Sequence, residues 1–298
     1  MPFSYTAPAF SEQELKNESE NLSEQEKREI HLDLYGQRKP FLETADFVTS
    51  KLEELEQQLL SIEDIGAFAL AKERCPDYVN GNDFRLLFLR KTMFDVKSAA
   101  EHIVNYWNLK VEIFSEEKAF RPCSEADLED DDVEALRRST ISILPKNDKN
   151  GRAILFTIRK SWHYRCRESF LRAWMVLHHK LLDTNIDAQR NGLIIISFDI
   201  YPNSPSSENF DRKLSSALLH FIRNCSPFRT VAIHHFFDSS ILGFIIQFVM
   251  YLMGKEFRQR YCLHRGLISN KERIAALDKF GITREMLPTI MGGTIQLS

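Results

Sequence analysis

The run Asn191-Gly192-Leu193-Ile194-Ile195-Ile196-Ser197-Phe198-Asp199 decides how this chain is read. Asn-Gly breaks any helix before it, and the residues that follow are apolar at nearly every position. A strand with one wet face alternates apolar and polar side chains. An unbroken apolar run is what a strand needs when both faces of its sheet are covered, as in parallel sheets. Outward from this run the pattern repeats. Upstream, a helix is expected from Arg167 to about Asp187, with Phe170, Leu171, Trp174, Leu177, Leu181 and Leu182 on one side. Before it, Thr140–Leu144 and Arg152–Ile158 are β-rich runs joined across the turn signal Asp148-Lys149-Asn150-Gly151. Downstream come a helix from about Phe210 to Arg223 and a strand from Phe228 to Phe237. Strand–helix–strand alternation with buried strands predicts an α/β domain on a largely parallel sheet.

The first part of the chain has a different period. Phe47, Leu52, Leu55, Leu59 and Ile62 recur at helical spacing, and Cys75-Pro76-Asp77 to Asn80-Gly81-Asn82 interrupts. Further helices are expected at Asp83–Arg90 and from Asp95, a suitable N-cap, to about Phe114. Residues 1–44 are polar and Glu/Ser-rich, and read as a mobile arm with a short helix around Ser23 to Leu34. The domain plan is thus an arm (1–44), a helical module (45–120) and an α/β domain (121–298).

With 43% hydrophobic residues and 22 Phe among 298 residues, the chain can build a substantial core. A net charge of −3 offers no global field for nucleic acid. Cys75, Cys123, Cys166, Cys225 and Cys262 are scattered and odd in number, as expected of reduced cytosolic thiols. No basic-then-apolar leader opens the sequence, so a cytoplasmic protein is expected.

The most informative segment is Ile241–Met253, apolar all round and broken only by Gly243 and Gln247. As a helix it covers roughly 20 Å, short of the ~30 Å bilayer core. It is either a central core helix or a lid over an apolar cavity whose outer side can touch lipid. The stretch after it (Lys255, Arg258, Arg260, Arg265, then Lys271 and Arg273) is locally cationic, either as solvated surface or as a phosphate or anionic-membrane contact.

Catalytic and metal readings find little support. Cys166 to Arg172 has the Cys-x5-Arg spacing of cysteine phosphatases, but its intervening residues lack Gly and read as helix. His178-His179 and His234-His235 are adjacent pairs whose members point apart, and no HExxH accompanies them. The acidic run Glu125 to Asp132 lacks a calcium-loop pattern. No nucleotide-binding or serine-hydrolase motif occurs. The expectation is a protein without enzymatic activity, metal or cofactor.

Several segments, in this order, resemble the CRAL-TRIO family of lipid carriers. Leu86-Leu87-Phe88-Leu89-Arg90 with Met93-Phe94-Asp95-Val96 and Trp107 resembles its N-terminal LLRFLRARKFDV…W signature. Asp148 to Arg152 is similar to D-x-x-G-R-P, and Phe198-Asp199 to F-D-x-x-G. Pro227-Phe228-Arg229 with Ile233-His234 matches P-x-R…I-H, which a gate helix follows. Phe257-Arg258, Arg260, Leu263-His264, Leu287-Pro288 and Gly292-Gly293 fit the closing stretch. The resemblance runs from about residue 46 to the end. There are departures: Leu87 replaces an Arg, Pro202 a Gly, Phe237 and Ser239 the usual Asn and Pro, and Met250 the Lys of Lys-Pro-Phe-Leu. The missing Lys weakens a phosphoinositide headgroup site and leaves a less polar ligand or another phospholipid open.

The resemblance implies a gate helix over an apolar pocket and a bound lipid or other lipophile, carried or presented between membranes. Taking a two-chain lipid out of a bilayer exposes roughly thirty methylenes at ~0.8 kcal/mol each, so only a closed apolar cavity can offset it. Expected for the floor are Phe156, Ile196, Phe198, Phe228 and Ile233, with Trp174 as a wall and Phe244, Ile245, Phe248 and Val249 as the lid. His234 is expected at the ligand, and Lys255, Arg258 and Arg260 at phosphate or membrane. The expected partners are a phospholipid or small lipophile, a transient membrane surface, no nucleic acid, and a protein through the helical module. The other reading is a CRAL-TRIO-like scaffold that has lost its ligand and binds proteins.

Overall fold

Ser11 and Ser23 each accept a hydrogen bond from the backbone N–H three residues on, while the Glu14 and Glu26 carboxylates accept one from the cap's own N–H. These capping boxes start helices α1 (Glu12–Glu20) and α2 (Glu24–Leu34). Thr44 and Asp95 cap α3 (Ala45–Leu60) and α7 (Val96–Ile113), with α4 (Ala67–Arg74), α5 (Pro76–Val79) and α6 (Asn82–Lys91) between them. α8 (Glu116–Ala119) and α9 (Asp130–Ser139) lead into the sheet. The helical module closes on an aromatic cluster of Phe84, Phe88, Tyr106, Trp107 and Phe120. The structure is a computed structural model describing residues 11–139, 141–158, 167–199, 211–237, 240–266 and 269–297. Within these, the side chains of 12, 135, 137–139 and 240–245 are left undescribed.

Strands β1 (Ile141–Ile143) and β2 (Ala153–Ile158) form the expected antiparallel pair. Then follow α10 (Arg167–Thr184), α11 (Ile186–Asn191), β3 (Leu193–Asp199), α12 (Arg212–His220) with a π-helical turn at Phe221–Cys225, β4 (Thr230–Phe237), α13 (Ser240–Arg258), β5 (Tyr261–Arg265) and α14 (Asn270–Asp278). The sheet order is β1-β2-β3-β4-β5, with β2 through β5 parallel. Each parallel neighbour is next in sequence, so right-handed crossovers stack every connecting helix on the same face. Trp174, Leu214 and Ile246, from α10, α12 and α13, pack there with Leu155, Ile195 and Ile233. The opposite face is covered by Leu34 of α2 and by Leu277, Ile282, Leu287 and Met291 of the C-terminal stretch. β3 is buried at every position, as its composition demanded. β5 escaped the sequence reading: Tyr-Cys-Leu-His-Arg is short, polar at one end and at the sheet edge.

Gly192 separates α11 from β3 with φ of 95°. A Cβ there would lie 2.6 Å from Val231 Cγ1 and 2.7 Å from the Arg229 carbonyl. That carbonyl accepts the Leu193 N–H at 2.9 Å and cannot retreat without loosening the β3–β4 pairing.

Residues 11–34 depart from the expected mobile arm (residues 1–10 lie outside the described chain). Asp33, buried, bonds Arg38 at 2.6 Å, Arg229 at 2.5 Å and Arg260 at 2.8 Å. Arg152, paired with Asp148, donates to the Asp33 and Leu34 carbonyls at 2.6 and 3.0 Å and to the Phe280 carbonyl at 2.7 Å. Glu18 forms a bidentate pair with Arg258, and Glu26 meets Lys255 at 2.7 Å. The arm has little apolar face of its own; apart from Arg38, the cations that hold it lie more than a hundred residues away, which no local pattern announces.

Burial pushes the Asp33 carboxyl up, but Arg229, Arg38 and Arg260 outweigh it, and it lies below its ordinary value. With the folded value depressed, its stabilisation is complete above the unfolded value of about 3.9 and is lost as pH falls through the folded one. Asp33→Ala would leave three guanidiniums without their shared carboxylate. It should cost about 3–5 kcal/mol in denaturant unfolding at neutral pH, with the difference from the parent shrinking under acid; a loss under about 1 kcal/mol, the size of a surface pair, would refute the anchor. Gly192→Ala should cost at least about 1–3 kcal/mol from backbone strain, and an unchanged thermal midpoint would contradict the geometry above.

Candidate functional site

A cavity of about 90 Å³ lies between the sheet and α13. Strand residues two apart share a face, and the floor follows that rule: Ile195, Ser197 and Asp199 from β3, Ile233 and His235 from β4, with Thr157 of β2 and Tyr261 of β5 beside them. Trp174 of α10 forms one wall, and Leu218 and Leu219 of α12 with Ile222 another. Ile246, Val249 and Met253 of α13 close it. Ile246, Met250 and Met253 are buried, Phe248, Val249 and Leu252 are half-buried, and Tyr251 is exposed.

The polar part of this cavity is organised around His235. Its Nε2 lies 2.7 Å from Asp199 Oδ2 and its Nδ1 lies against the Tyr261 hydroxyl. A carboxylate accepts, so the consistent arrangement has Nε2–H donating to Asp199 and Tyr261 donating to Nδ1. The Trp174 Nε1–H is buried with no hydrogen-bond partner among the described residues.

α13 is not one continuous helix. Gly254 breaks it with φ of 75° and ψ of 161°. The carbonyls left open at the break are taken by arginines: Arg223 donates to Leu252 O and Arg258 to Met250 O, each at 3.0 Å. Cations at a helix C-terminus are favoured by the free carbonyls and by the helix dipole.

These placements correct several of the expected site residues. Trp174, Ile233 and Val249 do line the cavity. Phe156, Ile196 and Phe198 point to the opposite face of the sheet, into the cluster with Leu277 and Leu287. His234 points there too, its Nδ1 at 3.0 Å from His264 Nε2 and its ring 4.6 Å from Phe280. The error is one of parity: where both faces are buried, composition does not say which alternate residues face the helices. Phe228 lies on the wall of a different cavity, and Phe248 is half-buried with the Arg212 guanidinium over its ring at 5.2 Å. Phe244 and Ile245 fall outside the described side chains, and Pro202 and Ser239 outside the described residues. Lys255, Arg258 and Arg260, expected at a membrane, are paired with Glu26, Glu18 and Asp33. A signal for the correct face was present: Ser197 and Asp199, two apart on an otherwise apolar strand, mark one side.

The cavity that Phe228 lines is larger, about 610 Å³, and lies between α2, the end of α6 and the end of α13. Its walls are charged. Arg38, Arg229 and Arg260 are committed to Asp33, and Lys91 donates to the Arg223 carbonyl at 2.9 Å, with burial holding its ammonium down to about 7. Such walls reject hydrocarbon.

The other titratable candidates are internally bonded. His178 Nδ1 meets Trp174 O, and His179 Nε2 meets the Tyr106 hydroxyl, both at 2.7 Å. Burial pushes the Cys225 and Cys262 thiols up to about 12 and 11, which suppresses thiolate chemistry. Among the described residues no cluster of three His, Cys, Asp or Glu could hold a metal ion, and no helix is long and apolar enough to cross a membrane.

No family model matches the chain, and no curated protein matches it in sequence. Among solved structures it is similar to the crystal structure of Sfh5, with a TM-score of 0.53 and 11% identity over 84% of this chain and 93% of that one. At that identity the likeness speaks for the fold alone. A helical module followed by an α/β domain with a largely parallel sheet, its crossover helices on one face and α13 over an apolar cavity, is a fold of the CRAL-TRIO type.

Proposed function

We propose that this protein binds a hydrophobic ligand between the sheet and α13 and carries or presents it between membranes, with α13 as the gate. The observation that carries the reading is the cavity itself. It is walled mainly by Ile, Leu, Val, Met and Trp, and it is covered by an apolar helix on which Tyr251 is exposed. Burying Ile246, Met250 and Met253 is worth roughly 1.5–3 kcal/mol each, so swinging the helix out in water is costly. Against a bilayer those side chains exchange one apolar surrounding for another, and opening becomes cheap where a lipid can be taken up. The Gly254 break lets the helix move without dragging β5. The protein then works on the cytoplasmic side as a transient visitor to membranes, with no catalytic chemistry.

At about 90 Å³ the cavity is well below the ~300–1,000 Å³ of ordinary ligand sites, so α13 would have to move outward to admit a whole lipid. The same small volume favours the second reading, a scaffold of this fold that has lost its ligand. Native mass spectrometry of protein purified from cells, followed by lipid extraction, separates them: a stoichiometric lipophile is expected, whereas repeated recovery of empty protein that moves no lipid between vesicles supports the scaffold. Val249→Trp places an indole in the cavity from a half-buried position. Uptake and transfer should fall at least about tenfold with the thermal midpoint nearly unchanged, and undiminished transfer would mean that ligand does not occupy this space.

A further inference from the structure

α13 is fastened at its C-terminal end by a segment that comes from the other end of the chain. Past the Gly254 break, Lys255 pairs with Glu26 of α2 at 2.7 Å. Arg258 gives its Nε and Nη2 to the two carboxylate oxygens of Glu18 in α1, at 3.0 and 2.6 Å. The Gln259 amide donates to the same carboxylate at 3.0 Å. The remaining Arg258 nitrogen, Nη1, donates to the Met250 carbonyl at 3.0 Å, in the last turn before the break. One guanidinium thus joins α1 to the gate. The bidentate grip of Glu18 fixes its plane, and that orientation aims Nη1 at Met250.

The arm itself is lightly held. Among the described side chains of residues 11–34 only Leu22 and Asp33 are buried, and Leu15 adds a half-buried contact with the core. Two hollows lie between α2 and the segment after the break: one of about 360 Å³, lined by Leu22, Glu26, Ile30, Lys255 and Gln259, and the cavity of about 610 Å³ already described. The polar contacts weaken along the arm. At the far end of α2, Asp33 is buried and shared by three arginines. Glu18 and Arg258 are 15% and 11% exposed, and Glu26 and Lys255 are almost half exposed. Exposed pairs beside water-accessible space are weak and screened by salt. Residues 11–30 can therefore leave while Asp33 stays, a local opening far cheaper than unfolding.

We infer that α1 and the first turns of α2 form a latch on the gate, which leaves α13 before the helix swings out. Glu18 is a positioning residue, acting on the Met250 carbonyl through Arg258. Once the latch is off, Arg258 regains its rotamers and caps that carbonyl only part of the time. Arg223 keeps the Leu252 carbonyl whether or not the arm is docked, so release loosens the gate without unfolding it. The inference rests on α13 being the gate, but not on what binds beneath it.

Hydrogen–deuterium exchange of the full chain, in the absence of vesicles, reads the helix directly. Glu18→Ala together with Glu26→Gln removes both pairs, and Gln at the third helical position preserves the Ser23 capping box. Amides at 246–253 should then exchange at least about tenfold faster, the weight of one charged hydrogen bond, while those of β3 and β4 keep their rates. The parent in about 1 M salt, where the Debye length falls to ~3 Å, should shift the same way, a comparison that needs no substitution if the variant proves unstable. Arg258→Met should also loosen 246–253, and adding Glu18→Ala to it should change nothing more, because Glu18 acts through Arg258. Additive effects of those two, or fast exchange confined to residues 12–30 with 246–253 unchanged, would overturn the latch and leave the gate standing. Amides at 246–253 as slow as those of β3 in every protein and at both salt concentrations would sink both.

Discussion

Four parallel strands laid down in sequence order, each joined to the next by a right-handed crossover, can put their connecting helices on only one side of the sheet. Everything else about this molecule follows from having to cover the other. α10, α12 and α13 crowd the crossover face, and the space they fail to fill between them is the cavity. The opposite face would be left wet, although β3 and β4 are apolar on both sides. It is closed by the two ends of the chain: α2 arrives from the N-terminal direction, and α14 with the turns after it from the C-terminal one. Arg152 sits where these meet, bonded to Asp148 in its own turn, to the last carbonyls of α2 and to Phe280.

This division of labour explains where the positive charge goes. The arginines at the end of α13 and in the stretch from the π-helical turn to β4 would otherwise form a basic patch. They are spent instead on structure: Arg258 and Arg223 on the carbonyls exposed by the Gly254 break, and Arg260 and Arg229 on the carboxylate of Asp33. The C-terminal end of α13 is consequently held by directional polar contacts and its middle by apolar packing. Those two kinds of restraint respond differently to a bilayer, which replaces the packing and does not reproduce the polar contacts.

The cavity combines apolar walls with a short polar row, and the row is what gives it chemistry. His235 bridges Asp199 and Tyr261, and these two bonds fix its ring. Thr157 and Ser197 stand beside it on the neighbouring strands.

Much of the architecture was readable in the residues themselves. The apolar run of β3, the Asn-Gly break before it, the helical spacing from Phe47 onward and the all-apolar stretch before Gly254 are local patterns, and local patterns set secondary structure and its order. The resemblance at Asp148 to Arg152, Phe198-Asp199 and Ile233-His234 pointed to the same topology. Which face each buried strand residue takes was not readable, because Phe156, Ile196 and Phe198 are as apolar as Ile195 and Ile233, and pleating alone sorts them. Nor was the fate of the arm and of the basic segment. Glu18 and Arg258, or Asp33 and Arg229, lie some two hundred residues apart, and an ion pair leaves no periodic trace in either partner's neighbourhood. The chain's own composition thus determined that a sheet with two dry faces would form; only the folded structure decided which side became the cavity and which charges would be unavailable to line it, since both depend on contacts between segments that meet only when the sheet is closed.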